Sequence, residues 1–501
     1  MEFDYIVVGA GSAGCVIANR LSEEGDVSVL LLEAGAEDTK PEIHEPSKWQ
    51  LLLGSAVDWG YQTVAEPGFA GRQINCNRGK VLGGSSAINA MIYIRGNRWD
   101  YDHWGELGCS GWAFNEVLPY FIKSEHQERG ESAFHGVGGL LNVSDVGKVH
   151  PLNSAMIEGA VEIGCPRNPD FNGERQEGVG IYQFTIRDGK RESTATAFLR
   201  PAMERPNLTI ATSALTDRIL FDGTRAIGVS FLQNSEQRQA MARREVIICG
   251  GTINSPQLLQ LSGIGPAEDL TAFGIPIIKD LPGVGRNLHD HPFVSIRYAA
   301  FYPNSVPCDY AMGGLFLYSG IDPDEPAPDL QFLFAPDLDE NSRVITCSID
   351  IALLRPQSRG QLRLRSTNAG DAPAILVNYL NDPDDMKRLV AGVKIARRMG
   401  QGKALAEFLR EELDPGLSVQ HDSEIEAFIG NNGRSIWHPV GTCKMGNDRF
   451  AVVDPQLKVH GIQGLRVADA SVMPTVTSGN TNAPTIMIGE KAAEMIKKSW
   501  R

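Results

Sequence analysis

One short stretch of the chain decides its fold, namely Gly9-Ala10-Gly11-Ser12-Ala13-Gly14. Residues 3–8 precede it and are rich in β-branched and aromatic side chains, which predicts a strand. Residues 13–22 carry apolar side chains at helical spacing, which predicts a helix. Residues 27–32 form a nearly continuous apolar run, as expected of a strand buried on both faces. Strand, glycine turn, helix and strand in this order predict a βαβ unit.

Each glycine of the turn has its own physical reason. Gly9 permits the tight turn, Gly11 lets a pyrophosphate approach the backbone, and Gly14 lets the helix pack closely on the strand. The pyrophosphate then lies at the helix N-terminus, where free N–H groups and the helix dipole favour an anion. Glu33 ends the second strand and is placed to accept hydrogen bonds from ribose hydroxyls. The unit therefore predicts dinucleotide binding, without separating NAD from FAD.

The overall composition is that of a globular protein. Of 501 residues, 42% are hydrophobic and 22% are charged, which excludes disordered, collagen-like and coiled-coil chains. The formal net charge is −14, and no basic stripe is present, so we expect no nucleic-acid partner. The 53 glycines exceed the usual share of about 7%, which indicates many tight turns and close backbone approaches.

The remaining global features predict a cytoplasmic protein. The eight cysteines form no C-x-x-C pair, so buried free thiols are favoured over metal or redox centres. No charged and apolar leader precedes the first strand, so no signal peptide is predicted. No apolar run approaches the roughly 18 residues of a membrane span.

Five further segments of the chain carry motifs. Two are glycine turns before apolar helical stretches, and three follow one another near the C-terminus; they are 79–89, 251–265, 438–446, 464–474 and 479–485. Together with the N-terminal unit they resemble the glucose–methanol–choline (GMC) oxidoreductase family, choline-dehydrogenase-like branch. The first two match that family's signature patterns, and the motifs occur in the family's order over essentially the whole chain.

The resemblance implies an α/β fold with a Rossmann-like FAD domain. The substrate domain of such proteins is an α+β unit, an antiparallel sheet backed by helices. Residues 1–150, 198–295 and 450–501 are then expected in the FAD part, and 151–197 and 296–449 in the substrate part. The family binds FAD and oxidises alcohols by passing a hydride to flavin N5. We therefore expect an FAD-dependent alcohol oxidoreductase that acts on a primary alcohol and yields an aldehyde.

The resemblance also implies a set of cofactor residues. The N-terminal unit would hold the ADP half, the second motif the pyrophosphate and isoalloxazine, and the C-terminal segments the ribityl chain and the flavin ring. The full set is Gly9, Gly11, Ser12, Ala13, Gly14, Glu33, Ala34, Val81, Leu82, Gly83, Gly84, Ser85, Asn89, Ala90, Met91, Ile92, Thr216, Gly251, Asp469, Ala470, Asn482 and Pro484. Some members attach FAD covalently through a histidine where this chain has Ile88, so we expect non-covalent FAD.

The resemblance places catalysis on His438 and Asn482. His438 is expected to be the base, since an imidazole can take the hydroxyl proton near neutral pH. Asn482 cannot take a proton but can hydrogen-bond the hydroxyl oxygen. Ile436 and Trp437 are expected to face the substrate. The segment 289–291 reads His-Asp-His, and we interpret it as structural rather than as a metal site.

Several alternatives stay open on sequence alone. The electron acceptor is either O₂, which makes an oxidase, or a quinone-type compound, which makes a dehydrogenase. A sugar or pyridoxine-type alcohol oxidase is also possible, and a hydroxynitrile lyase that keeps FAD without using its redox chemistry is a remote rival, as are a photochemical decarboxylase and a non-catalytic FAD-binding protein. Neither the particular alcohol nor the oligomeric state is readable.

Overall fold

The computed structural model describes residues 1–301, 310–337 and 345–500. Its first sheet is built on the predicted βαβ unit, with strand Glu2–Val8, helix Ser12–Leu21 and strand Val29–Leu32. The two strands are parallel, and Val8 lies opposite Leu32. The prediction of an α/β fold built on this unit is confirmed.

The first sheet draws its strands from three regions of the chain. Their spatial order is Leu208–Ala211, Val29–Leu32, Glu2–Val8, Glu236–Ile248, Arg225–Gln233 and Ala214–Asp222, with Leu465–Val467 paired to Glu236–Ile248. The pairs around Glu2–Val8 are parallel, whereas the last three strands of the order form an antiparallel meander. The parallel strands are buried on both faces, which explains their continuous apolar sequence.

The second sheet is antiparallel and lies on the opposite side of the large cavity described below. Its spatial order is Leu409–Asp414, Pro292–Ala300, Ile345–Leu353, Leu330–Asp337, Gly313–Leu317 and Gly178–Ile181, with Arg434–Ser435 paired to Pro292–Ala300. Side chains alternate between its two faces. One face packs on helix Pro383–Gly400, where Gly392 lies against Leu330 and Ile351. The other face is turned to the cavity.

The other helices and strands surround these two sheets. The remaining α-helices are Pro41–His44, Arg98–Glu106, Phe114–Ser124, Pro151–Glu162, Gly251–Leu261, Ala267–Ala272, Asp422–Asn432 and Asn482–Ser499. The remaining short strands are Tyr61–Gln62, Asn75–Cys76, Glu125–Gln127, Leu141–Val143, Ile186–Arg187, Lys190–Arg191, Ile264–Gly265, Lys279–Asp280, Arg286–Leu288, Gly360–Arg363 and Ala374–Leu376. Among the described residues, no helix has both the length and the apolar character that a membrane crossing requires.

The division into an FAD part and a substrate part stays a prediction. The strand Pro292–Ala300 belongs to the second sheet and runs across the expected boundary at residue 295. The second sheet also takes its strand Gly178–Ile181 from the expected segment 151–197.

The glycine turn packs against a second glycine turn. A Cβ on Gly84 would lie 2.7 Å from the Cα of Gly11, and Gly84 also has φ +52°. Gly223 has a similar φ of +57° but open space around it. Comparison of Gly84 with Gly223 therefore distinguishes the energetic cost of a left-handed backbone from that of a steric clash.

We expect Gly84→Ala to destabilise the protein more than Gly223→Ala. Each substitution places an L-residue in the left-handed region, at a cost of roughly 1–2 kcal/mol. Only Gly84→Ala adds a backbone clash. Denaturant unfolding of both variants measures the difference, and equal losses in the free energy of unfolding would contradict the close approach.

Candidate active site

A cavity of about 1240 Å³ lies between the two sheets. It exceeds the usual ligand pocket of about 300–1,000 Å³. Most of the predicted cofactor residues line it: Gly9, Gly11, Ser12, Ala13, Glu33, Ala34, Gly84, Ser85, Asn89, Ala90, Met91, Ile92, Thr216, Gly251, Asp469, Ala470 and Asn482. The structure therefore brings together segments that lie up to 473 positions apart, from residue 9 to residue 482.

Five predicted cofactor residues do not line the cavity, and packing explains each of them. Val81 and Leu82 are buried in hydrophobic clusters. Gly83 lies against Ser193 and Ala195. The other two, Gly14 and Pro484, are buried within the first turns of their helices. These five residues pack behind the cavity wall, and their contact with a cofactor stays a prediction.

Three helices begin at the cavity wall. They are Ser12–Leu21, Gly251–Leu261 and Asn482–Ser499, and residues of the first turn of each line the cavity. The N–H groups at a helix N-terminus have no partner within the helix, and the helix dipole is positive there. Three such ends in one cavity suit the two charges of a pyrophosphate. The residues present therefore fit a dinucleotide such as FAD.

Glu33 closes the cavity at the end of its strand. Its carboxylate accepts hydrogen bonds from the backbone N–H groups of Ala10 (2.9 Å) and Gly35 (2.8 Å). Burial raises the pKa of Glu33 to about 7, although these two N–H groups act in the opposite direction. Carboxylate oxygens keep further lone pairs, so the group also remains able to accept from ribose hydroxyls.

Asp469 ties the C-terminal segment to the helix that begins at Gly251. Its carboxylate accepts from the backbone N–H of Gly251 (2.9 Å), from the Ser255 hydroxyl (2.5 Å) and from the backbone N–H of Ser471 (2.8 Å). The side chain is 2% exposed, and burial raises its pKa. Asp469 therefore fixes one of the three helix ends at the cavity.

The imidazole of His438 lies at the cavity wall and is 8% exposed. Its backbone N–H donates to Asp290 over 2.7 Å, and its Nδ1 lies 3.0 Å from Nδ1 of His291. Burial holds the pKa of His438 well below its ordinary value of 6.5, and His291 and Arg78 lower it further. The ring is therefore neutral at neutral pH and able to accept a proton.

The amide beside this imidazole belongs to Asn480 and not to Asn482. Nδ2 of Asn480 lies 3.2 Å from Nε2 of His438. The Asn482 amide oxygen instead accepts from the Ser12 hydroxyl over 2.7 Å. The physical reason is the start of the helix: Asn482 is its first residue and faces helix Ser12–Leu21, whereas Asn480 precedes it. The catalytic role of Asn482 stays a prediction, and the structure adds Asn480 as the amide that lies beside the ring.

Ile436 and Trp437 line the cavity as expected. Trp437 has a left-handed backbone, with φ +61°, directly before His438. Its backbone N–H donates to the Ser435 hydroxyl over 2.7 Å, and its backbone carbonyl accepts from the Arg78 guanidinium. Its indole also meets Trp49 edge-on, with ring centroids 6.4 Å apart. These contacts hold a strained loop in one conformation.

Sequence reasoning missed the wall formed by the second sheet. Phe293, Ser295, Ser348 and Asp350 line the cavity from neighbouring strands, and Arg434 joins them from the strand beside Phe293. The Arg434 guanidinium donates to the Ser295 hydroxyl over 3.0 Å. Alternation within a strand was the only signal for these residues, and it does not tell which face meets a ligand.

Sequence reasoning also interpreted the His-Asp-His segment as structural only. The structure places His291 against His438, while neither ring nitrogen of His289 has a hydrogen-bond partner among the described residues. Within residues 1–301, 310–337 and 345–500, no group of three or more His, Cys, Asp or Glu side chains could hold a metal ion.

A dinucleotide cradle beside a buried neutral imidazole defines a nucleotide-cofactor oxidoreductase. Comparison with known proteins makes this assignment specific. The N-terminal and C-terminal sequence patterns of the GMC oxidoreductases match residues 3–293 and 356–489. The chain is an oxidoreductase that belongs to the GMC family, and the predicted resemblance is confirmed.

Named relatives agree with this membership over the full length. The alcohol dehydrogenase [acceptor] of Pseudomonas putida is 43% identical over 99% of this chain and 95% of its own. The mitochondrial choline dehydrogenase of Homo sapiens is 43% identical over 99% of this chain and 90% of its own. The crystal structure of pyridoxine 4-oxidase from Mesorbium loti superposes with a TM-score of 0.92, at 34% identity over 98% of each chain.

We expect Asp469→Asn to weaken FAD retention. An asparagine in this place turns its NH₂ group toward one of the N–H or O–H donors that the carboxylate accepts, which leaves a buried donor unsatisfied at about 1–3 kcal/mol. Displacement of the Gly251 helix end should then lower FAD affinity. Flavin fluorescence during dialysis measures the release.

Asp385→Asn is the matched control. Asp385 is buried and accepts from the backbone N–H groups of Gln357 and Ser358 and from the Ser358 hydroxyl, but it does not line the cavity. Both variants should lose stability, and only Asp469→Asn should lose FAD. Equal FAD retention in the two would contradict the role given to Asp469.

Proposed function

We propose that this chain oxidises a primary alcohol to an aldehyde with non-covalently bound FAD. The observation that carries the proposal is the position of His438. A buried, neutral imidazole lies at the wall of a cavity at which three helices begin, an arrangement that suits a pyrophosphate. Relatives named as alcohol and choline dehydrogenases and a neighbour named as an oxidase of pyridoxine support the same reaction type.

The residues of the site divide the reaction between them. FAD, when bound, supplies the acceptor for the hydride that leaves the carbinol carbon. His438 takes the hydroxyl proton at Nε2, the ring nitrogen that lies toward Asn480. The Asn480 amide hydrogen-bonds the hydroxyl oxygen and so orients the carbinol C–H. Ile436 and Trp437 form the adjacent wall and limit access of water.

The mode of FAD attachment follows from Ile88. This residue lines the cavity at the position where covalent members carry a histidine, and an isoleucine side chain has no nucleophilic atom. We therefore propose that FAD is held by hydrogen bonds, helix ends and packing alone.

The electron acceptor is proposed to be O₂ or a quinone-type compound. Among the relatives are enzymes named alcohol dehydrogenase [acceptor] and oxygen-dependent choline dehydrogenase, and a structural neighbour is named an oxidase. The cytoplasmic location stays a prediction, and one relative is named a mitochondrial enzyme.

We expect anaerobic addition of an alcohol to bleach the flavin absorbance. A panel of benzyl alcohol, 1-hexanol, choline, pyridoxine and a methyl glucoside identifies the substrate class by the rate of bleaching. Air admitted afterwards should restore the colour rapidly, with peroxide, in an oxidase and slowly in a dehydrogenase. Acid precipitation of the same preparation should release the yellow colour into the supernatant.

Two outcomes would overturn these assignments. If no alcohol bleached the flavin while a cyanohydrin was cleaved, the protein would be a lyase instead. If the colour stayed with the acid precipitate, attachment would be covalent.

We expect Asn480→Ala to slow flavin reduction by about 100-fold and Asn482→Ala to slow it much less. Only the Asn480 amide lies at the imidazole, and positioned proton-transfer groups contribute about 10²–10⁴-fold. Stopped-flow absorbance with the best alcohol of the panel measures both rates. The two asparagines are matched controls for each other, and a larger loss with Asn482→Ala would return the role to that residue.

A further inference from the structure

His291 and His438 face each other across a single short contact. Their Nδ1 atoms are 3.0 Å apart, and the ring planes are perpendicular, with centroids 5.2 Å apart. Both rings are buried. Two nitrogens at this distance form a hydrogen bond only if one carries the proton and the other offers its lone pair. The pair therefore has two possible arrangements, and they are chemically different.

The neutral state of His291 and the contact between Asn480 and His438 favour one of these two arrangements. Burial lowers the pKa of His291 to about 3, so the ring is neutral and carries a single proton. The backbone carbonyl groups of Leu354 and Thr477 act in the opposite direction and raise this pKa, as acceptors near a ring N–H do. Nε2 of His291 has no hydrogen-bond partner among the described residues. The Asn480 NH₂ group lies 3.2 Å from Nε2 of His438 and can only donate, so that Nε2 carries a lone pair, Nδ1 of His438 carries the proton, and Nδ1 of His291 is left to accept it.

We infer that His291 accepts a hydrogen bond from Nδ1–H of His438 and thereby fixes the lone pair of His438 on Nε2. Which nitrogen of an imidazole carries the proton is set by the hydrogen bond that the other nitrogen makes. Nε2 of His438 is the atom beside Asn480 and the one that must accept the alcohol proton. His291 is therefore a positioning residue, and its mechanistic consequence rests on the proposed alcohol oxidation.

Asp290 holds the two rings in this relation. Its carboxylate accepts from the backbone N–H of His291 (2.8 Å) and of His438 (2.7 Å). The Tyr379 hydroxyl donates to it over 2.6 Å, and the Ser435 hydroxyl donates to it as well. One buried carboxylate thus fixes the backbones of both histidines, which leaves the rings little freedom to separate. Arg78 is the other charged group that acts on His438.

The tautomer is measured without any turnover. FAD-loaded protein labelled with ¹⁵N in its ten histidines gives long-range ¹H–¹⁵N correlations that distinguish a protonated ring nitrogen from one with a lone pair. Loss of signals in His291→Asn and His438→Gln assigns the two rings. We expect a proton on Nδ1 and a lone pair on Nε2 of His438 at neutral pH. A proton on Nε2 would overturn the inference even if alcohols bleach the flavin.

Substitutions test the consequence of the contact. Asn places its amide oxygen near the position of Nδ1 and retains an acceptor, whereas Leu of similar volume removes it. His291→Leu should slow flavin reduction by about 100-fold or more with KM little changed, and His291→Asn should recover most of that loss. His289→Leu is the matched control, since His289 is equally buried but neither of its ring nitrogens has a hydrogen-bond partner in the part of the chain that the structure describes.

Equal rates in His291→Leu and His291→Asn would overturn the positioning role. An equal loss in His289→Leu would overturn it as well, because it would point to packing alone. If no alcohol bleaches the flavin of the unmodified protein, the proposed function fails. The ¹⁵N measurement still decides the tautomer in that case.

Discussion

No side chain fits between the first glycine turn and the backbone segments that cross it. A Cβ on Gly14 would lie 1.8 Å from the carbonyl oxygen of Gly9, and one on Gly84 would lie 2.7 Å from the Cα of Gly11. This close layering sets the direction of helix Ser12–Leu21, so that its first turn opens on the cavity. The same helix then receives the C-terminal helix, since Gly489 packs against Ala13. The N-terminal ends of these two helices therefore converge on the cavity because backbone meets backbone at the turn.

The two residues of the proposed catalytic pair, His438 and Asn480, are held by elements of different sheets. His438 is tied through Asp290 and His291 to the start of strand Pro292–Ala300 in the second sheet. Asn480 precedes the C-terminal helix, which belongs to the first sheet's layer. A hydroxyl bound between the two side chains would therefore lie where the sheets meet. The residues expected to hold FAD lie mainly around the first sheet, whereas much of the proposed substrate wall comes from the second.

Features that depend on backbone conformation were predictable from the sequence, whereas contacts that depend on the placement of single side chains were not. The βαβ unit was predictable because Gly9 and Gly14 report directly on backbone conformation. The position of His438 at the cavity was predictable because its flanking residues form a recognisable segment. Which of the two amides, Asn480 or Asn482, lies beside His438 was not predictable. It depends on the residue at which the helix begins, and helix boundaries predicted from sequence are uncertain by about two to four residues. The two amides lie on opposite sides of that boundary.

His291 and the second-sheet wall were hidden for a related reason. Residues 289 and 291 alternate along an extended segment, and the sequence alone does not say which ring meets His438. The neighbours that decide it come from distant segments, such as Ser435 and Tyr379 through Asp290. The cavity face of the second sheet carries serines and Asp350 among apolar residues, and polar residues in alternation ordinarily indicate a solvent-exposed face.

The electrostatics of the site favour coupling of the two transfers in the proposed reaction. His438 must be neutral before it can accept a proton, and burial with Arg78 nearby secures this. The same surroundings disfavour the imidazolium that results. Proton uptake alone would therefore be costly, unless negative charge moves to a nearby group in the same step. A bound FAD would supply this by accepting a hydride, since a hydride carries an electron pair away from the carbinol carbon. A site that keeps its base neutral at rest thus favours coupled departure of proton and hydride over a free alkoxide.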